Sequence, residues 1–281
     1  MNSTLMKNRI NTNAIKEALK GKSRENWIVY TAGSIMEGFG NENSDVDVYI
    51  ICDLEAISNE FAGGYKEGEI SIIEENTIVY NTIIGDTRYD FEYWDWKEVN
   101  KIVEKLNNFN FGTDQYKDRL SKSEIDFIHR LKYGNPVINK NSFASFIKNI
   151  VFDNLGYIQV IVHSEQYDGY LEDIEGALLS NDFGTSYVIS KLLLETSVTS
   201  FLSVHGETNP SRKWLYRKLE RFQNNNNNEI NLLKKYLTLD SYCFDERNIE
   251  SHIETVIEFC QELNLKTQYI IGKKQIISRG E

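Results

Sequence analysis

The chain has 281 residues, 41% hydrophobic and 26% charged, with a formal net charge of -11 and three cysteines. That length suffices for two modest domains with a sizeable core, while the acidic balance weighs against tight sequence-independent binding to nucleic acid, which needs clustered Lys and Arg. It fits a small-molecule or peptide partner better, and an acidic cleft favours a cationic one.

No apolar run approaches the roughly 20 residues that cross a bilayer, and Met1 to Lys7 lack the apolar core of a signal peptide. A cytoplasmic protein with no membrane partner is therefore expected. Cys52, Cys243 and Cys260 lie far apart within apolar patterns and read as reduced core residues.

Asn13 to Gly21 carries Ile15, Ala18 and Leu19 on one side, the spacing of a first helix. Asn26 to Gly38 is an apolar, β-branched and aromatic run that ends at Gly33-Ser34, which predicts a strand, a tight turn and a short helical stretch. A glycine there lets the backbone approach a ligand, and the free N–H groups of the helix start, with the Ser34 hydroxyl, offer donors to phosphate oxygens. Ser44 then introduces Asp45-Val46-Asp47-Val48, whose alternation projects both carboxylates from one face of a strand. Two carboxylates on one edge repel unless a cation sits between them. Magnesium suits that place, because it takes hard oxygen ligands from one or two carboxylates plus substrate phosphates.

After a loop containing Ala62-Gly63-Gly64, Ile70 to Ile73 and Thr77 to Tyr80 predict a hairpin around Glu75-Asn76. It leads to a strand in which Arg88, Asp90, Glu92 and Trp94 face one way and Tyr89, Phe91 and Tyr93 the other. If this strand pairs beside the Asp45 strand, a third carboxylate joins the pair. Asp95 caps a helix from Trp96 to about Asn108. From Leu120 the pattern becomes helix after helix, opening on the capping box Ser121-Lys122-Ser123-Glu124, with Gly134-Asn135-Pro136 ending that helix. Further helical spacing covers Ser142 to His163, Tyr170 to Leu179, Gly184 to Val204, Arg212 to Phe222, Ile230 to Leu237 and Asn248 to Leu263, and Asn224 to Asn228 is a polar connection. The expected fold class is α+β: a mixed β-sheet domain with flanking helices over 1–119, then an all-α helical bundle over 120–281.

Gly33-Ser34, the spacer, Asp45-Val46-Asp47 and the later acidic strand together resemble the signature of the DNA polymerase β-like nucleotidyltransferases. A sheet domain followed by a helical bundle resembles the aminoglycoside nucleotidyltransferases within them. The resemblance implies that Gly33 and Ser34, with Ser44 beside them, bind the triphosphate, that Asp45 and Asp47 ligate two Mg2+ ions, and that Asp90 or Glu92 completes the triad. Asp90 is favoured for its place at the strand start and its shorter side chain. The implied reaction moves AMP from ATP to an acceptor hydroxyl and releases pyrophosphate, with Asp90 helping to remove the acceptor proton. The acceptor is a small molecule such as an aminoglycoside, or a peptide or protein.

In the helical half, Lys213 and Arg217 lie one turn apart near a helix start, where cations oppose the macrodipole unless an anion is close. A triphosphate is such an anion, and a solvated basic face is the plain alternative; Trp214 is expected to face the core. Lys191, in an apolar helix, is a further candidate. Glu172 and Asp173 stand in for the acid that related enzymes use as general base, although acids in a first helical turn need no functional explanation. Arg247 and His252 resemble the Arg-x4-His motif of helical ribonucleases that accompany minimal nucleotidyltransferases and build their site across a dimer. A ribonuclease of toxin-antitoxin type, a homodimer and a non-catalytic nucleotide-binding module thus stay open.

Overall fold

The computed structural model describes residues 10–20, 26–57, 70–73, 76–110, 119–226 and 231–278. The expected Ala62-Gly63-Gly64 loop and the Met1 to Lys7 segment lie outside them. Helix α1 (Thr12–Ala18) begins where the Asn11 side chain accepts hydrogen bonds from the backbone N–H groups of Asn13 and Ala14, donors that a helix start otherwise leaves unpaired. β1 (Ile28–Ala32), the single turn α2 (Gly33–Met36) and β2 (Val46–Cys52) follow. β3 (Ile70–Ile73) and β4 (Thr77–Ile84) pair antiparallel, as the hairpin reading expects. β4 runs further than its apolar start suggests and turns through Gly85-Asp86 into β5 (Thr87–Asp95). Gly85 adopts φ 64° there, which glycine takes without a Cβ penalty.

The sheet has six strands in the order β3-β4-β5-β2-β1-β6. β2 and β5 run parallel, with Val46 opposite Tyr89, Asp47 opposite Asp90 and Tyr49 opposite Glu92. The period of two then sorts the faces. Val46, Val48, Ile50 and Cys52 join Tyr89, Phe91 and Tyr93 in an apolar layer with Ile15 and Leu19. On the other face lie Asp47, Tyr49, Asp90, Glu92 and Trp94. Asp95 caps α3 (Trp96–Asn107) by accepting from the Lys97 N–H at 2.8 Å. The expected capping box opens α4 (Lys122–Lys132), which packs its Phe127 ring on Trp94 at 4.3 Å and near Tyr49 at 6.4 Å between centroids.

The division of the chain differs from the one expected at residue 120. After α4 the chain returns to the sheet as β6 (Asn135–Ile138), paired antiparallel with β1, and then forms α5 (Lys140–Ile147), whose Phe143 packs on Tyr30. The first compact unit is Met1–Asn108 with Leu120–Phe152, and the second is Phe109–Arg119 with Asp153–Glu281. Four residues containing Pro136 carry no strand alternation. Their place on the sheet edge is where a missing N–H is tolerated.

The second unit is helical among its described residues: α6 (Asp153–Leu179), α7 (Phe183–Val204), a 3-10 turn (Arg212–Trp214) running into α8 (Leu215–Asn225), α9 (Leu232–Asp240) and α10 (Ile249–Ser278). The helix expected from Ser142 to His163 is therefore two, separated at residues 148–152, and the one expected at Tyr170 continues α6. α7 lies against α6 and α10 and is apolar nearly all round, as a central helix must be. It alone among the described helices is long and apolar enough to cross a membrane by length and composition, and most of it is buried within the unit. Its Ser186, Ser190, Ser197 and Ser203 hydroxyls each donate to a carbonyl three or four residues earlier, which makes their burial tolerable. Cys52 and Cys260 are buried, but Cys243 is exposed, against expectation. Trp214 is only half-buried; Leu215, Leu219 and Phe222 form the core side of α8.

α6 and α7 approach closely at Gly156, where an added Cβ would stand 2.3 Å from the Ser203 carbonyl oxygen. Gly156→Ala is expected to force the two helices apart and destabilise the protein by about 1–3 kcal/mol, read as a lower urea midpoint.

Candidate active site

Asp47 sits on β2 directly across from Asp90 on β5. Asp45 precedes β2 by one residue, so the two strands bring to one edge the three carboxylates that the sequence singles out. Guanidinium groups meet them. Arg88 pairs with Asp45 and, through Nε at 3.3 Å, with Asp90 Oδ1. Asn81 on β4 donates to the same Asp90 oxygen at 2.6 Å, as its register opposite Asp90 dictates. Arg130 on α4 places a terminal guanidinium nitrogen 3.5 Å from Asp47 Oδ2, and its Nε faces both oxygens of Asp126 at 3.3 Å.

Gly33 closes the site from the end of β1. It adopts φ 79°, and an added Cβ would lie 1.8 Å from Asp47 Oδ2 and 2.7 Å from the Arg130 guanidinium. The space a side chain would fill is taken by the Asp47 carboxylate. The Ser34 carbonyl accepts from the N–H groups of Phe39 and Gly40 at 2.8 and 2.9 Å, tightening the turn, and the Ser34 hydroxyl is 3.5 Å from that of Ser44. A buried pair, His129 Nε2 to Glu37 Oε1 at 2.9 Å, ties α4 to the end of this turn.

Glu92 faces the same side one register position further along, opposite Tyr49. The Trp94 indole N–H donates to it at 2.7 Å and the Tyr49 hydroxyl bonds it; burial raises its pKa. Asp90 is the acid grouped with Asp45 and Asp47. Burial, first, and then the nearby carboxylates of Asp90, Asp126 and Asp45 push Asp47 up to about 6, against the opposing pull of Arg130.

The chemistry of this donor set, hard carboxylate oxygens at one strand edge, suits a hard divalent cation. Among the described residues, however, no three His, Cys, Asp or Glu side chains already converge closely enough to hold one unaided. The fit is thus to magnesium held by one or two of these carboxylates and completed by phosphate oxygens and water.

The remaining candidates lie in the second unit. Lys213 is exposed with its ammonium 5.3 Å from the Trp214 ring, and Arg217 pairs with Glu220 at 3.1 Å. Lys191 donates to the Asp240 carbonyl at 2.7 Å, joining α7 to α9. Glu172 and Asp173 are exposed on α6. His252 is buried, stacked on Tyr242 at 3.8 Å with its Nε2 unpartnered, and its pKa is lowered by burial and then by Lys191. Arg247 is exposed in the turn before α10.

Sequence reasoning missed Arg130, Asp126, Asn81 and the Glu37–His129 pair. The available signals were Asp126 four residues before Arg130 on a capped helix, and Asn81 at the end of an apolar alternation.

No protein-family model matches the chain, and no curated protein matches it. Among solved structures the chain is similar to a nucleotidyltransferase-like protein from Exiguobacterium sibiricum, with 10% identity and a TM-score of 0.44 over 92% of this chain and 77% of that one.

The Asp47 shift fixes a pH dependence. The folded protein holds this proton up to about pH 6, whereas the unfolded chain releases it near 3.8, so stability falls as pH rises between about 4 and 6. Asp47→Asn removes that penalty. In metal-free buffer the variant is expected to be more stable than wild type at pH 7 by up to about 3 kcal/mol, with the difference vanishing below about pH 4 in urea titrations.

Proposed function

We propose that the first unit is a metal-dependent nucleotidyltransferase centre that moves AMP from ATP to a hydroxyl of a small-molecule acceptor such as an aminoglycoside. The observation that carries this reading is the register of β2 against β5, which sets Asp47 opposite Asp90 with Asp45 adjoining and the Gly33 turn alongside. Burial and the neighbouring carboxylates push Asp47 up to about 6, a cost that a bound divalent cation would offset.

Asp45, Asp47 and Asp90 are the residues that would hold the ions. Two magnesium ions, when bound, would draw charge from the phosphoryl oxygens and lower the pKa of the acceptor hydroxyl. The chain's own groups do the rest. The turn at Gly33-Ser34, with the Ser34 and Ser44 hydroxyls, receives the triphosphate. Asp90 accepts the acceptor's proton, work suited to a carboxylate held in place by Asn81 and Arg88. The acceptor oxygen bonds to the α-phosphorus, the bond from that phosphorus to the α,β-bridging oxygen breaks, and pyrophosphate departs with the electron pair.

The test is transfer from α-labelled ATP with magnesium, with pyrophosphate release followed across a panel of aminoglycosides, other small alcohols and peptides. Asp47→Asn is expected to abolish labelling while the protein stays folded, and Asp90→Asn to lower the rate by about 100-fold or more. Wild-type rates in Asp47→Asn would refute the reading.

A further inference from the structure

Arg130 differs from an ordinary partner of Asp47. A charge-assisted bond between a guanidinium and a carboxylate is commonly 2.7–2.9 Å, whereas the Arg130 terminal nitrogen stops 3.5 Å from Asp47 Oδ2. Its Nε is occupied by Asp126 on the same helix, and a terminal nitrogen of the guanidinium is directed at the site. The same nitrogen lies 2.7 Å from where a Gly33 Cβ would be, so the guanidinium stands beside both the Gly33 turn and the Asp47 carboxylate.

That position is held from several sides. His129, the preceding residue, is locked to Glu37 in a buried pair. Phe127 packs on Trp94 and Tyr49, and the Ser121–Glu124 box fixes the helix start. The Arg130 side chain is only 20% exposed. Its planar fork matches phosphate oxygens in a way a lysine ammonium cannot.

We propose that Arg130 is a triphosphate-binding residue that grips non-bridging oxygens of the donor nucleotide and carries charge of the departing pyrophosphate. This rests on the nucleotidyltransferase reading of the site.

The experiment is calorimetric binding of α,β-methylene-ATP, and separately of inorganic tripolyphosphate, each with magnesium, to wild type, Arg130→Gln and Arg130→Lys. Arg130→Gln should bind both ligands at least tenfold more weakly, and Arg130→Lys should recover part of that loss because it restores the charge without the fork. Equal affinity in wild type and Arg130→Gln overturns the inference and leaves the transferase reading intact. So does a lysine variant no better than the glutamine one, since a merely structural disturbance would not depend on charge. If wild type binds neither ligand, the transferase reading fails and the inference with it.

Discussion

Between β2 and β5 the strands run parallel, and their register holds Asp47 against Asp90. A slip of one residue in β2 would exchange Asp47 and Tyr49 for Val46 and Val48 and drive a carboxylate into the apolar layer around Ile15, Phe91 and Tyr93. Burying each such side chain contributes about 1.5–3 kcal/mol. That sum exceeds the roughly 3 kcal/mol that the raised Asp47 pKa represents. The hydrophobic face of the sheet therefore enforces the proximity of like charges on the other face. The proposed cation site is kept in shape by residues that would never touch an ion.

The charges that offset this proximity come from different elements and are unequal. Arg88 belongs to β5 itself and is 55% exposed, so its pairs with Asp45 and Asp90 are of the weak, screened kind worth about 0–1 kcal/mol. A bound cation could displace it at little expense. Arg130 arrives from α4, is mostly buried, and sits on a helix pinned by the Glu37–His129 pair and by Phe127. The loose guanidinium pairs with two of the acids, Asp45 and Asp90. The fixed one lies beside the turn.

The strands and the three acids were legible in the sequence because each rests on a local rule: the alternation of Asp45 to Ile51, the alternation of Arg88 to Trp94, and the caps at Asp95 and Ser121. What failed was non-local. β6 has four residues and a proline, and only pairing with β1 makes it a strand; once missed, it shifted the division of the chain by some thirty residues and assigned α4 to the helical half. Arg130 was lost through that boundary, not through any weakness in its own signal. In the second unit the same limit appears differently. Lys191 reads as a functional cation in an apolar helix, yet its ammonium is bonded to the Asp240 carbonyl, a helix-to-helix contact that spacing along one helix cannot reveal.

The glycine of the Gly33-Ser34 turn acquires a second physical reason from the same sheet. β1 and β2 pair with Ala32 opposite Asp47, so the residue after Ala32 is necessarily the neighbour of that carboxylate. Its φ of 79°, and the mere 1.8 Å that would separate a Cβ at this position from Asp47 Oδ2, both require glycine. The interval from Gly33 to Asp47 is thus the length of chain that leaves one strand, completes α2 and returns in antiparallel register. The proposed phosphate approach and the observed carboxylate seating place the same demand on one residue. An alanine there would displace Asp47 from Asp90 before any ligand arrived, and for that reason the turn and the acidic strand have to be read as one structural unit.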